Sequence, residues 1–192
     1  MQTKVSRQEA WDLLCEWTES ASLRRHALAV ETAMRAYAPR FDGDAELWGA
    51  TGLLHDLDYE RFPDLGTGHP RHGIAELETR GYPAELVRAV ASHADFMGVR
   101  RETPMEKTLY AVDELSGFIL ACAYVRPDGL NGMTPKSVKK KLKQPSFAAA
   151  VSREDLQRGA EELEVEFDEH LAMVIGALAE RADELMSVDG TT

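Results

Sequence analysis

Positive charge is scarce in this chain. Twenty-two lysines and arginines stand against 33 aspartates and glutamates, a formal net charge of −11 over 192 residues. A surface of that sign repels phosphate backbones, which argues against non-specific nucleic-acid binding and is met by ordinary solubility. Cysteine is scarcer still: Cys15 and Cys122 lie in helix-like apolar segments and are expected as buried thiols of a reducing compartment, not as a disulfide or a metal pair. Long apolar runs are missing. The longest, at 171–179 between His170 and Glu180, falls far short of the roughly 20 residues that span a bilayer, so no membrane partner is expected. The first nine residues hold no apolar core of a secretory signal, and a cytoplasmic location follows as the expectation. Strand-like alternation, repeats and low-complexity tracts are absent too.

What is present is helical. An apolar content of 44% with 29% charged residues is ordinary for a globular chain, and the length suits one domain with a real core. Ser6 to Glu9 reads as a helix start, Ser22 as the cap of a second helix running to about Ala38, and Asp44 as the cap of a third that ends at His55-Asp56. Pro63, Gly66 and Gly68 punctuate a loop at 57–68. Pro70 then opens a fourth helix and Pro83 a fifth, which ends near His93. Thr103-Pro-Met-Glu106 is the clearest start signal, opening a long helix through Asp113 to about Tyr124. A turn-rich loop leads to Thr134-Pro135 and a short basic helix with five lysines between 136 and 143. Ser152 starts the last helical region, which runs with one break to about Met186. The pattern predicts an all-α, single compact helical bundle of about seven to nine helices over 1–187, with a frayed tail at 188–192.

The pair His55-Asp56 closes an apolar stretch, and a carboxylate beside an imidazole suits a divalent transition metal. Neighbours on a helix diverge by roughly 100°, so both can grip one metal only where the helix ends or bends. Taken singly, His26, His93 or Asp113 is more often structural or solvent-exposed than a ligand. Together, His26, His55-Asp56, His69 or His72, His93 and Asp113 set ionisable groups on successive helical segments that a bundle can bring to its centre. Four imidazoles and two carboxylates exceed the needs of one metal and suit two.

This order resembles the signature of the HD-domain superfamily of metal-dependent phosphohydrolases: His, then His-Asp, then a distant Asp. The resemblance spans roughly residues 20 to 125, the signature core, and leaves the basic loop-helix and the C-terminal helices at 126–187 outside it. It extends to a small group of bacterial HD proteins through His55-Asp-Leu-Asp-Tyr-Glu60, His69-Pro-x-x-Gly73, Ser92-His-Ala-Asp95, the segment from Glu106 to Gly117, Val125-Arg-Pro127 and the lysines at 136–141. By that resemblance His26, His55, Asp56 and Asp113 form the basic metal set, and His69 and His93 complete a binuclear centre. His72 is the alternative to His69, or a substrate contact. The implied cofactor is a pair of divalent ions, Mn, Fe, Co, Ni or Zn, and the implied chemistry is hydrolysis of a phosphate ester by metal-activated water.

Asp56 is then the bridging carboxylate, with Asp58 and Asp95 as further catalytic-side acids that orient a histidine or the water. Lys107, Arg126 and Lys139 are the expected substrate-side cations for a small phosphorylated partner such as a nucleotide, although a solvated helix face is the ordinary fate of any one lysine. Asp58 is as easily a loop acid without a role. His170 has no match in the signature and reads as a surface histidine of an acidic helix. Gly81-Tyr-Pro83 is only a helix–helix turn. Two alternatives stay open: a mixed-valent di-iron oxygenase with a similar ligand set, and a non-catalytic regulatory module. A homodimer is compatible with all three.

Overall fold

The computed structural model describes residues 5–187, and the expected frayed tail at 188–192 lies outside them. Ten α-helices follow one another: α1 Arg7–Trp17, α2 Ala21–Tyr37, α3 Ala45–Leu54, α4 Arg71–Thr79, α5 Ala84–Ser92, α6 Pro104–Tyr124, α7 Pro135–Leu142, α8 Arg153–Glu162, α9 Phe167–Glu180 and α10 Ala182–Met186. Short 3-10 turns occupy Ala38–Phe41 and Asp95–Met97, and no strand occurs among the described residues. The count exceeds the expected range by one because the chain leaves helical geometry at Arg181 (φ −115°, ψ 25°) and splits the last helix.

The start signals act as read, with one shift. Thr103 and Glu106 close a reciprocal capping box on α6, Thr134 and Ser137 do the same on α7, and Asp44 caps α3. On α2 the cap is Ser20, not Ser22: the Ser20 hydroxyl accepts from the Leu23 amide. The helix therefore starts two residues earlier than expected, which puts His26 in its second turn.

Helix α3 is the hub. Trp48 to Leu54 are all buried, so it is apolar all round, as a helix enclosed by others must be. It packs on α1, α2, α5 and α6, while α2 in turn meets α6 and α9. Leu53, Leu54, Leu57, Leu109, Leu115 and Phe118 are fully enclosed. Burial of each such side chain contributes about 1.5–3 kcal/mol. Gly52 lets α2 and α3 touch, because a Cβ there would lie 2.8 Å from the Glu31 amide nitrogen. Gly159 does the same for α8 against Ala111 of α6.

A buried carboxylate ties the ends of the chain together. Glu31 of α2 is fully enclosed and accepts from Arg7 (2.6 and 2.9 Å), from Arg35 (2.9 Å) and, at 3.4 Å, from Arg181. Cys122 is buried and Cys15 half-buried, both as free thiols.

His170 is not a surface residue. It is fully buried: its Nε2–H donates to the Ala111 carbonyl at 3.0 Å, so Nδ1 accepts from the Tyr37 hydroxyl at 2.7 Å. Burial lowers its pKa, which keeps it neutral. The acidic residues beside it in sequence, Asp168 and Glu169, are exposed, so the acidic pattern that suggested a surface position for His170 belongs to the outer face of α9 alone.

Candidate metal centre

The hub helix stops at Leu54, and the chain turns from His55 to Glu60. That turn is what lets two neighbouring residues face one point. His55 is fully buried and its Nδ1 donates to the Gly52 carbonyl at 2.8 Å. His93 ends α5 in the same way, its Nδ1 donating to the Val90 carbonyl at 2.6 Å. His69 precedes α4, and its Nδ1 donates to Asp58 at 2.7 Å. A carbonyl can only accept, so Nδ1 of His55 and of His93 carries a proton, and Nε2 of each is the nitrogen left to face the cluster. His26 comes from α2 and Asp113 from α6, where their side chains meet at 3.0 Å.

The Nε2 atoms of the four rings converge on Asp56. Its Oδ2 lies 3.4 Å from His55 Nε2 and 3.9 Å from His26 Nε2. Its Oδ1 lies 3.4 Å from His69 Nε2 and 3.5 Å from His93 Nε2. Asp113 reaches His55 Nε2 at 3.2 Å. Two ligand groups result, each tight enough for one ion: His26, His55, Asp56 and Asp113, and Asp56, His69 and His93. They share only Asp56.

The donor set fits divalent metals. His55 Nε2 is buried with no hydrogen-bond partner, and His69 and His93 aim Nε2 at each other across 3.3 Å. A buried nitrogen without a partner, as at His55, is costly unless something outside the protein's own inventory satisfies it. Burial works against charge on His55, yet Asp56 and Asp113 outweigh it and hold its pKa well above the ordinary histidine value. Burial would likewise raise both carboxyls, but His55 with His93 holds Asp56 well below the carboxylate range, and His55 with His26 lowers Asp113.

Asp58 is buried and aimed away from the cleft: one oxygen accepts from the His69 Nδ1–H and the other from the Gly73 amide, each at 2.7 Å. Gly73 packs its Cα against that carboxylate, where a Cβ would come within 3.3 Å of the Asp58 carboxyl carbon. Here is the physical content of His69-Pro-x-x-Gly73: its histidine ring and its glycine amide both bind Asp58, one of the two acids expected to orient a histidine or the water. His72 is exposed and stacks on Phe62, with ring centres 3.9 Å apart. It belongs to neither ligand group.

A cleft of about 500 Å³ opens over the cluster. Besides the ligands it is walled by Tyr59, Leu65, Phe96, Tyr110, Glu114 and Asp155, none of which was singled out from the sequence, and by Asp95, which was. Glu114 follows Asp113 directly in the chain, and loss of water there, with the Asp113 charge, pushes it up to about 7. Asp95 pairs with Arg101 at 2.8 Å and with Arg158, so its charge is already balanced.

The expected substrate-side cations lie elsewhere. Lys107 lines a different hollow with Arg100, Arg101 and Glu162. Arg126 donates to the Gly129 and Asn131 carbonyls of its own loop, and Lys139 pairs with Asp168 at 2.7 Å. None of the three borders the cluster's cleft. Spacing along the sequence could not show that α7 packs on α9 and on α6 beyond the metal-ligand turns.

Comparison with protein families matches the HD domain to residues 23–117, which hold His26, His55, Asp56, His69, His93 and Asp113. The chain belongs to the HD-domain superfamily. Members of this superfamily are mostly metal-dependent phosphohydrolases, so the cluster lies in a domain built for divalent ions. No curated protein and no solved structure matches the HD-domain chain. No helix among the described residues is long and apolar enough to cross a membrane.

Proposed function

We propose that this HD-domain protein is a binuclear phosphohydrolase of a small phosphate ester, with Asp56 as the carboxylate common to both metals. The observation that carries this reading is the split of Asp56: Oδ2 faces His26 and His55, and Oδ1 faces His69 and His93. His26, His55, Asp56 and Asp113 would hold one ion, and Asp56, His69 and His93 the other. Divalent ions held there supply Lewis acidity, lowering the pKa of water and offsetting phosphoryl charge. The chain's own share is positional. The Gly52 and Val90 carbonyls and the Asp58 carboxylate fix each ring's tautomer and aim, the arrangement that raises ligand basicity.

The cleft also bears on substrate size. No lysine or arginine lines it, so the metals alone would counter the substrate's negative charge. Tyr59, Leu65 and Phe96 are exposed at its mouth and offer apolar and aromatic faces. That combination favours one phosphoryl group on an aromatic or apolar carrier, such as a nucleoside monophosphate, over a triphosphate.

Elemental analysis of protein purified without added metal, followed by a phosphate-release screen with and without oxygen, tests the reading. The expected result is about two metal equivalents and oxygen-independent phosphate release, both lost in Asp56→Ala, with activity down by at least about 10²-fold. Turnover that requires oxygen and frees no phosphate would instead establish the oxygenase alternative. Metal and activity that both survive Asp56→Ala would remove the dipeptide from catalysis.

A further inference from the structure

The lysines that do not serve the metal cleft border a cavity of their own. It measures about 340 Å³ and is lined by Cys122, Arg126, Ser137, Lys140, Lys141 and Gln144, sharing no residue with the cleft over the metal cluster. Cys122 and Asp113 are nine residues apart on α6, about 13 Å along the helix axis.

Three features set this place apart from a solvated helix face. First, its cations are unbalanced. Of the five lysines between 136 and 143 only Lys139 has an ion-pair partner among the described residues, in a chain where acids outnumber bases by 11. Lys136 and Lys140, and Lys139 and Lys143, are like charges one helical turn apart, an arrangement that destabilises an isolated helix. Second, Arg126 is fixed before any ligand arrives: its Nε and Nη2 donate to the Gly129 and Asn131 carbonyls at 3.0 Å each, and it meets no carboxylate. Third, the cavity has an apolar floor. Cys122 is 2% exposed, and burial pushes its thiol up to about 11 even though Lys141, Arg126 and Arg153 all pull the other way, so their positive fields meet there.

We propose that this cavity is a second binding site, outside the metal centre, for a small phosphate-bearing anion held by Arg126, Lys140 and Lys141. Its size is that of a small-molecule pocket, and the acidity of the rest of the chain disfavours a long polyanion. One loop joins the site to the metal cleft. Gln144 lines the basic cavity and Val151 the metal cleft, and Arg153 laces the segment between them by donating to the carbonyls of Gln144, Phe147, Ala148 and Val151.

The probe is pyrophosphate, titrated into the metal-loaded full chain while acetylation of each lysine is followed by mass spectrometry. Saturable protection of Lys140 and Lys141, with Lys107 unprotected, is the expected result. In calorimetry the Lys140→Ala/Lys141→Ala variant should lose one binding event, or bind it at least tenfold more weakly, and Lys140→Arg/Lys141→Arg should restore it. Phosphate release at the metal centre should persist in the alanine variant, so this test stands apart from the one for hydrolysis. Equal pyrophosphate binding by wild type and the alanine variant overturns the proposal. So does protection by an RNA oligomer without protection by pyrophosphate, which would make this face a polyanion dock.

Discussion

His26 and Glu31 sit five residues apart on α2, and the buried charge centres around them are built on opposite terms. Around Glu31 the protein supplies its own counter-charges: Arg7, Arg35 and Arg181 reach the two carboxylate oxygens. Around Asp56 the protein supplies imidazoles and carboxylates, and no lysine or arginine lines the cleft. His55 Nε2 lies near two carboxylates without completing a hydrogen bond to either, and the His69 and His93 nitrogens face each other. A buried polar group normally finds its hydrogen bonds. One centre obeys that rule from within and reads as a clamp on the fold. The other breaks it in a concerted way, with Nδ1 of three rings tied back into the protein, and reads as a receptacle for ions.

The comparison breaks most visibly at Glu31. Glu31→Ala leaves three arginines facing an empty position and should cost about 3–5 kcal/mol, the usual penalty for stripping one partner from a buried charge group. Chemical denaturation measures that loss, and metal equivalents per folded chain should not change. Loss of metal at unchanged stability would reverse the roles of the two centres. A smaller effect is expected at Asp58, which touches the cluster only through His69. Asp58→Asn should weaken metal binding by about 10–100-fold through loss of ring orientation, with little effect on the unfolding midpoint of the metal-free protein. A competition titration against a chromophoric chelator reads it, and unchanged affinity for both ions would show that His69 needs no support.

The smallest and most diagnostic effect is in pH. In the metal-free protein Asp56 and Asp113 overcome burial to hold His55 protonated above its ordinary range. That proton stabilises the fold fully below the unfolded value, about pH 6.5, and the contribution is lost as the pH rises through the raised one. It must also leave before Nε2 can bind a metal. Metal uptake near neutrality should therefore release protons, with affinity climbing by about tenfold per pH unit for each proton displaced. Calorimetry in two buffers of different ionisation enthalpy counts them. The arginines around Glu31 remain charged across this range and add no such slope. Metal binding without proton release would contradict the cluster's electrostatics.

Much of the ligand constellation was legible because its parts carry local signals. A helix that must end for His55 and Asp56 to converge does end, at Leu54. The Thr103 and Thr134 capping boxes are written in four residues each. Spacing alone left His69 and His72 open and only the family resemblance favoured His69, since both sit in one short segment and tertiary packing turns one ring inward and stacks the other on Phe62. Lysine placement failed for a related reason. A basic stretch declares its charge in sequence, whereas its neighbours are set by how α7 seats on α6 and α9. His170 was misjudged because the hydrophilic residues around it hide the Tyr37 hydroxyl waiting 133 positions away.

Gly52 performs two tasks, one through its missing methyl group and one through its backbone carbonyl. Its bare Cα admits the α2 backbone at Glu31, and its carbonyl aims the His55 ring. The spacing of the two central helices and the bite of the ligands they carry are therefore a single mechanical setting. Any side chain at 52 would act as a wedge, widening the gap between His26 and His55 while tilting His55. Tuning which ion this fold prefers is thus a matter of carpentry between α2 and α3 as much as of ligand chemistry, and it can be done without replacing any group that faces the cleft.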